Sequence, residues 1–205
     1  MKVKIDFTHE TLIMATREEI KNYYLELRRD FENNSPIFQY NKDRAHNSVV
    51  LRLMLDTSTS IKMYCGQMSV MRTDFYEHIK KEDADLAKEL LSELQKSFEK
   101  FITKDSNKLT IILETYKDEY LQDLICGDDF KRGLKNGKIE LLKLNDKLTF
   151  KHQLYHFSLS DTMIVRIEQD KEQHSAVCSL NQKNIYDSAN NVFNNIEAIA
   201  EEVVC

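Results

Sequence analysis

The residues best suited to chemistry lie between positions 152 and 168. His152 and His156 are four apart, and on an extended strand that spacing turns both imidazoles to one face. Imidazole exchanges protons near neutral pH, so with the carboxylate of Asp161 the pair forms a candidate acid–base or nucleophile set. Arg166 and Glu168 follow, again on one strand face. An Arg fork matches a phosphate or carboxylate bidentately, and a neighbouring Glu is its natural ion-pair partner. His152, His156 and Asp161 are therefore the candidate catalytic residues, with Arg166, Glu168 and Asn181 as ligand contacts. A second group is Cys65-Gly66-Gln67-Met68-Ser69, at the end of a strand. Ligands of open α/β sheets bind outside the carboxyl ends of strands, which makes Gln67 and Ser69 candidate contacts and Cys65 a conceivable nucleophile. His46, beside Asn47 and Ser48 at a helix start, is either an anion contact or part of the cap.

These side chains need a scaffold, and the apolar spacing describes one. Residues 2–7 alternate Val3, Ile5 and Phe7 with polar neighbours, as in a half-buried strand. Thr16-Arg17-Glu18-Glu19 has the form of a capping box ahead of the helical stripe Ile20, Tyr23, Tyr24, Leu27 and Phe31. Asn33-Asn34-Ser35-Pro36 breaks that helix, so an N-terminal strand–helix appendage over residues 1–42 is separated from a main domain over 43–205. In the main domain, strands are expected at Ile61–Cys65, Leu109–Leu113 and Ile139–Leu144. A helix ahead of them carries Val49 to Met54, and those between them carry Phe75 to Lys80, Leu86 to Phe101 and Tyr120 to Ile125. Helical crossovers make those strands parallel. Three strands with short connections then follow, at Leu148–Leu159, Met163–Ile167 and Ala176–Leu180, an antiparallel pattern. A helix with Ile185, Ala189, Val192, Phe193 and Ile196 closes the chain. The fold class expected is α/β, a mixed sheet between helical layers.

This order of elements resembles the phospholipase D superfamily over about residues 46–200. The likeness rests on Ser60 to Gly66, Leu109 to Glu114, His156-Phe157-Ser158-Leu159-Ser160-Asp161, Met163 to Glu168, Ala176 to Asn181 and the closing helix. The resemblance implies a signature of His-x-Lys, four residues, then Asp, in which the His attacks phosphorus and the Lys and an Asn hold phosphate oxygens. Here the signature is broken. With Asp161 in the Asp position, Lys falls on His156 and the nucleophile on Leu154. With His156 in the His position, Lys falls on Ser158 and Asp on Met163. Arg166-Ile167-Glu168 stands where a Gly/Ser turn belongs. The resemblance thus implies a degenerate member. Because the superfamily pairs active sites and this chain carries one copy, it also implies a homodimer.

Composition bounds the rest. The chain has 205 residues, four glycines, one proline and a formal charge of -5. No glycine-rich phosphate loop is present. The acidic balance argues against a broadly basic nucleic-acid surface, although Lys42, Arg44, Arg52, Lys62 and Arg72 lie close together in sequence. Cys65, Cys126, Cys178 and Cys205 lack metal-site spacing, so neither metal nor cofactor is expected. No membrane span or signal peptide is legible, and a cytoplasmic protein is expected. Three functions follow from these residues. The first is a non-catalytic module binding a partner or a phosphate-bearing ligand. The second is a phosphodiester hydrolase with an altered site, and the third a nucleic-acid binder.

Overall fold

The computed structural model describes residues 15–41, 43–145, 147–148, 154–170 and 175–203. The strand expected over residues 2–7, and His152, lie outside the described residues.

Eight strands form one sheet in the order β1-β7-β6-β5-β2-β3-β4-β8. They are β1 (Ile37–Asn41), β2 (Ser60–Cys65), β3 (Lys108–Leu113), β4 (Ile139–Lys143), β5 (Phe157–Ser160), β6 (Ile164–Asp170), β7 (Ser175–Leu180) and β8 (Glu201–Glu202). β2, β3 and β4 are parallel; every other pairing is antiparallel. This is the mixed α/β sheet that the element order implied. The helices are α1 (Arg17–Glu32), α2 (Arg44–Thr57), α3 (Thr73–Lys80), α4 (Ala84–Thr103), α5 (Gly127–Lys135) and α6 (Lys183–Glu197).

Strand alternation divides the apolar residues between two layers. Ile61 and Met63 of β2, with Leu109 and Ile111 of β3, join the larger core shared with α1 to α5. Tyr64 and Ile112, from the same strands, join a smaller one beneath α6, completed by Phe157, Leu159, Val165, Phe193 and Ile196. On that face the Lys62 ammonium donates to Asn190 (3.1 Å) and Asn194 (2.7 Å) of α6.

Three expectations about the elements need correction. From residue 17 onward the supposed appendage is part of the main sheet and core: α1 buries Ile20, Tyr23, Tyr24 and Leu27, and β1 pairs with β7. Tyr23 Oη donates to buried Asn41 at 2.6 Å, joining helix to strand. The helix expected through Tyr120 to Ile125 is a short 3-10 turn at Asp118–Leu121, and α5 starts only at Gly127. Backbone bonds explain the difference. Thr73 donates to Asp123 (2.9 Å) and Ile125 to Met71 (2.9 Å), which holds this segment extended against the loop ahead of α3. Finally, of the strand expected over 148–159, the described residues form strand only at Phe157–Ser160.

The cap of α2 is Asp43, not Asn47 or Ser48: its carboxylate accepts from the backbone N–H of His46 at 3.1 Å. The His46 ring sits 2.7 Å from the same oxygen and edge-on to Tyr23. Burial alone would raise the Asp43 carboxyl, but the bonds from His46 outweigh it and hold it below the usual range. Stability from this cap is therefore complete above about pH 4, the unfolded aspartate value, and is lost as the pH falls through the lower folded value. Asp43→Ala should cost about 1–2 kcal/mol in urea unfolding at pH 7 and less near pH 3. An equal loss at both pH values would rule out the ionised cap.

Candidate functional site

A cavity of about 400 Å³ opens at the carboxyl ends of β2 and β3. Gly66 to Val70 after β2 form one wall, and Glu114 and Thr115 after β3 another. His156 and Ser158 enter from β5, Arg166 and Glu168 from β6, and Asn47 and Leu51 from α2. Met63, Met68 and Phe75 contribute apolar surface.

His156 is the centre. It ends the loop ahead of β5, and because Phe157 pairs antiparallel with Tyr64, its ring lies over the end of β2. Gly66 makes that position possible, since a Cβ there would stand 2.9 Å from His156 Cε1. The Tyr64 ring meets the imidazole edge-on at 5.8 Å. Both ring nitrogens are taken: Nδ1 lies 2.8 Å from Glu168 Oε2 and Nε2 lies 2.7 Å from Glu114 Oε2. The His156, Glu168 and Glu114 side chains are only 12%, 11% and 10% exposed. A neutral imidazole has one N–H and one lone pair, and an ionised carboxylate can only accept. Two such contacts therefore require an imidazolium, or a proton on one of the carboxyls. Either way, neither nitrogen keeps a lone pair for phosphorus or for a substrate proton.

The guanidinium beside this cluster is Arg166. Its Nε donates to Asn47 Oδ1 at 2.9 Å, and its terminal nitrogen stands 3.6 Å from Glu168 Oε1. Burial lowers its pKa, opposed by the charge of Glu168. With His156 as imidazolium, the two cations match the two carboxylates, and the cluster is neutral. Cys65 is a poor nucleophile here, because burial pushes its thiol up to about 12.

The other predicted site residues separate into those inside and those outside this cavity. Gln67 and Ser69 line it. Asp161 does not: it follows β5, whose run opposite β2 carries it to the far edge of the sheet. Five residues of extended chain, at about 3.4 Å each, place it roughly 17 Å from His156. There its carboxylate accepts from the Thr59 N–H at 3.1 Å, holding the start of β2. The expected His156–Asp161 cluster is corrected accordingly, and the carboxylates on His156 are Glu114 and Glu168. Asn181 is also elsewhere; it takes a left-handed turn (φ 55°) after β7 and donates to the Ser35 carbonyl at 3.0 Å. His46 belongs to the α2 cap and does not line the cavity. Glu114, Asn47 and Thr115 were not anticipated. Glu114 directly follows a buried parallel strand, and the strand-end rule applied to Gly66 would have pointed to it as well.

Of the basic residues that lie close in sequence, three are each held by a different set of neighbours. Arg52 bridges to Glu93 (2.8 Å) and stacks over Tyr24, Arg72 sits between Asp74 and Asp123, and Lys62 is held by α6. Lys42 lies outside the described residues. Among the described residues no group of His, Cys, Asp and Glu is arranged to hold a metal ion.

No family model matches the chain. No curated protein matches it either. Seven chains of solved structures match, among them the following two. One is TrmBL2, an archaeal chromatin protein whose structure is described as showing a novel mode of DNA binding. It is 15% identical with a TM-score of 0.52, and the match covers 91% of this chain and 63% of that one. The other is Nuc from Salmonella typhimurium, a phospholipase D family member. It is 14% identical with a TM-score of 0.48, covering 83% of this chain and 99% of that one. At 15% identity the likeness to TrmBL2 concerns the fold alone. No helix among the described residues is long and apolar enough to cross a membrane.

Proposed function

We propose that the chain is a non-catalytic, cytoplasmic module that acts as a homodimer and binds a small polar ligand in the cavity around His156. The observation that carries this reading is the occupation of both imidazole nitrogens by Glu114 and Glu168. A phosphodiesterase of the kind the resemblance implies needs a free ring nitrogen to attack phosphorus. The cavity instead offers neutral hydrogen-bonding groups from Asn47, Gln67, Ser69, Thr115 and Ser158 beside apolar surface, which suits a ligand held by orientation rather than by charge. A neutral polar ligand fits better than a phosphate-bearing one, since a phosphate would meet two carboxylates along with Arg166.

The test has two arms. Hydrolysis of an aryl phosphodiester by the wild-type protein should not exceed the buffer background. Turnover that His156→Ala abolishes while still folded would establish the hydrolase instead. In the second arm, polyols, simple sugars, phosphate esters and short DNA are compared by thermal shift, because a ligand that binds only the folded state raises its stability. Stabilisation by a neutral compound, weakened about tenfold by Gln67→Ala, is expected from the loss of one hydrogen bond. Stabilisation only by phosphate esters would replace the neutral ligand, and steeply salt-dependent DNA binding would make the chain a nucleic-acid binder.

A further inference from the structure

The clearest unassigned surface is the outer edge of the sheet at β1. The strand pairs with β7 along one side, and among the described residues nothing pairs with its other side. Phe38 and Tyr40 are 63% and 51% exposed, whereas Asn41 is buried. Tyr23 and the α1 core hold the strand from behind, so the outward position of the two aromatics is set by the fold. Edge strands of monomers are commonly guarded by Lys, by inward-pointing charge or by Pro within the strand. β1 has none of these: Ile37-Phe38-Gln39-Tyr40-Asn41 carries no charge, and Pro36 precedes the strand.

We infer that β1 is a dimerisation edge whose occupant is β1 of a second copy, running antiparallel about a two-fold axis at Gln39. The strand is complementary to itself in that register. Rotation about Gln39 sets Phe38 against Tyr40 of the second copy and Tyr40 against Phe38, giving two aromatic cross-strand pairs on one face. The absence of charge matters equally, because a net charge on the strand would be repelled by the same net charge on its copy. The result is one sheet continuous through both protomers. The inference rests on the homodimer reading above and deepens it by naming the surface, an outer edge in place of the paired active sites that the resemblance implied. Five paired residues form a contact smaller than the roughly 1,200–2,000 Å² of stable interfaces, so the dimer dissociates on dilution.

The experiment is sedimentation velocity of the full chain from about 1 μM to about 1 mM, a range that brackets a weak dimer. Wild type should pass from monomer to dimer. The Phe38→Lys/Tyr40→Lys double variant should stay monomeric throughout with an unchanged circular dichroism spectrum. Leu25→Lys, on α1 and 54% exposed, serves as the control and should dimerise as wild type does. A wild type that is monomeric at the highest concentration overturns both the homodimer reading and this inference. A double variant that dimerises like wild type overturns the β1 edge alone. Hydrogen exchange on the wild type provides a reading independent of the variants' folding. Protection of the 37–41 amides should rise with concentration. Protection that is the same at every concentration would assign the edge to another segment of the same chain, such as residues 2–7, and overturn the second copy.

Discussion

His156→Ala should lower the unfolding free energy by about 3–5 kcal/mol at pH 7, the usual cost of removing one partner from a buried ion pair. Without the ring, the Glu114 and Glu168 carboxylates lose the group that bridges them, while Arg166 still stands 3.6 Å from Glu168. Water entering the cavity offsets part of the cost, since the cavity is open to solvent. The loss should be readable as a shift in urea midpoint with little change in slope. The double replacement His156→Leu/Glu114→Leu should recover at least half of it, because apolar side chains of similar volume often replace buried ion pairs without penalty. If His156→Ala costs under about 1 kcal/mol, the clamp does not exist in solution, and the ring would then be available for chemistry.

Phe193→Ala should cost a similar amount, about 3–5 kcal/mol, for a different reason. The smaller core beneath α6 depends on few residues, and from the helix itself only Phe193 and Ile196 are buried. Phe193 is fully buried, meets Phe157 edge-on at 6.3 Å and lies 5.1 Å from the Lys62 ammonium. Truncating it opens a cavity between helix and sheet and exposes the Lys62 stem. Val192, its neighbour, is 42% exposed, so Val192→Ala should stay within about 0.5 kcal/mol. Equal effects at the two positions would mean that α6 is not anchored through Phe193.

Much of the scaffold was legible because its signals are local. The Thr16–Glu19 capping box formed as read, with Glu19 Oε2 accepting from the Thr16 N–H at 2.7 Å. Strands β2, β3, β4, β6 and β7 fell where short apolar runs placed them, and the 3.6-residue stripe of α4 is the buried one. The segment around Tyr120 to Leu124 misled for the opposite reason. Its apolar spacing suits a helix, but backbone bonds to Met71 and Thr73 outweigh the small helical preference of so short a run. The break at Pro36 was visible, but the return of the chain as β1 depended on β7, far away in sequence.

The sequence by itself determined most of the elements, their order and the mixed sheet between helical layers, because capping, alternation and helical periodicity act between residues only a few positions apart. It also placed His156, Arg166 and Glu168 on strands, and Gln67 and Ser69 just past the end of one. Only the tertiary structure decided which carboxylates surround the imidazole. Asp161, the nearest carboxylate after His156, is carried away by the extended strand between them. Glu114 is brought in from 42 residues away because β2 pairs with β3 on one side and with β5 on the other. Strand register is a long-range property, and it is register that occupies both nitrogens of His156.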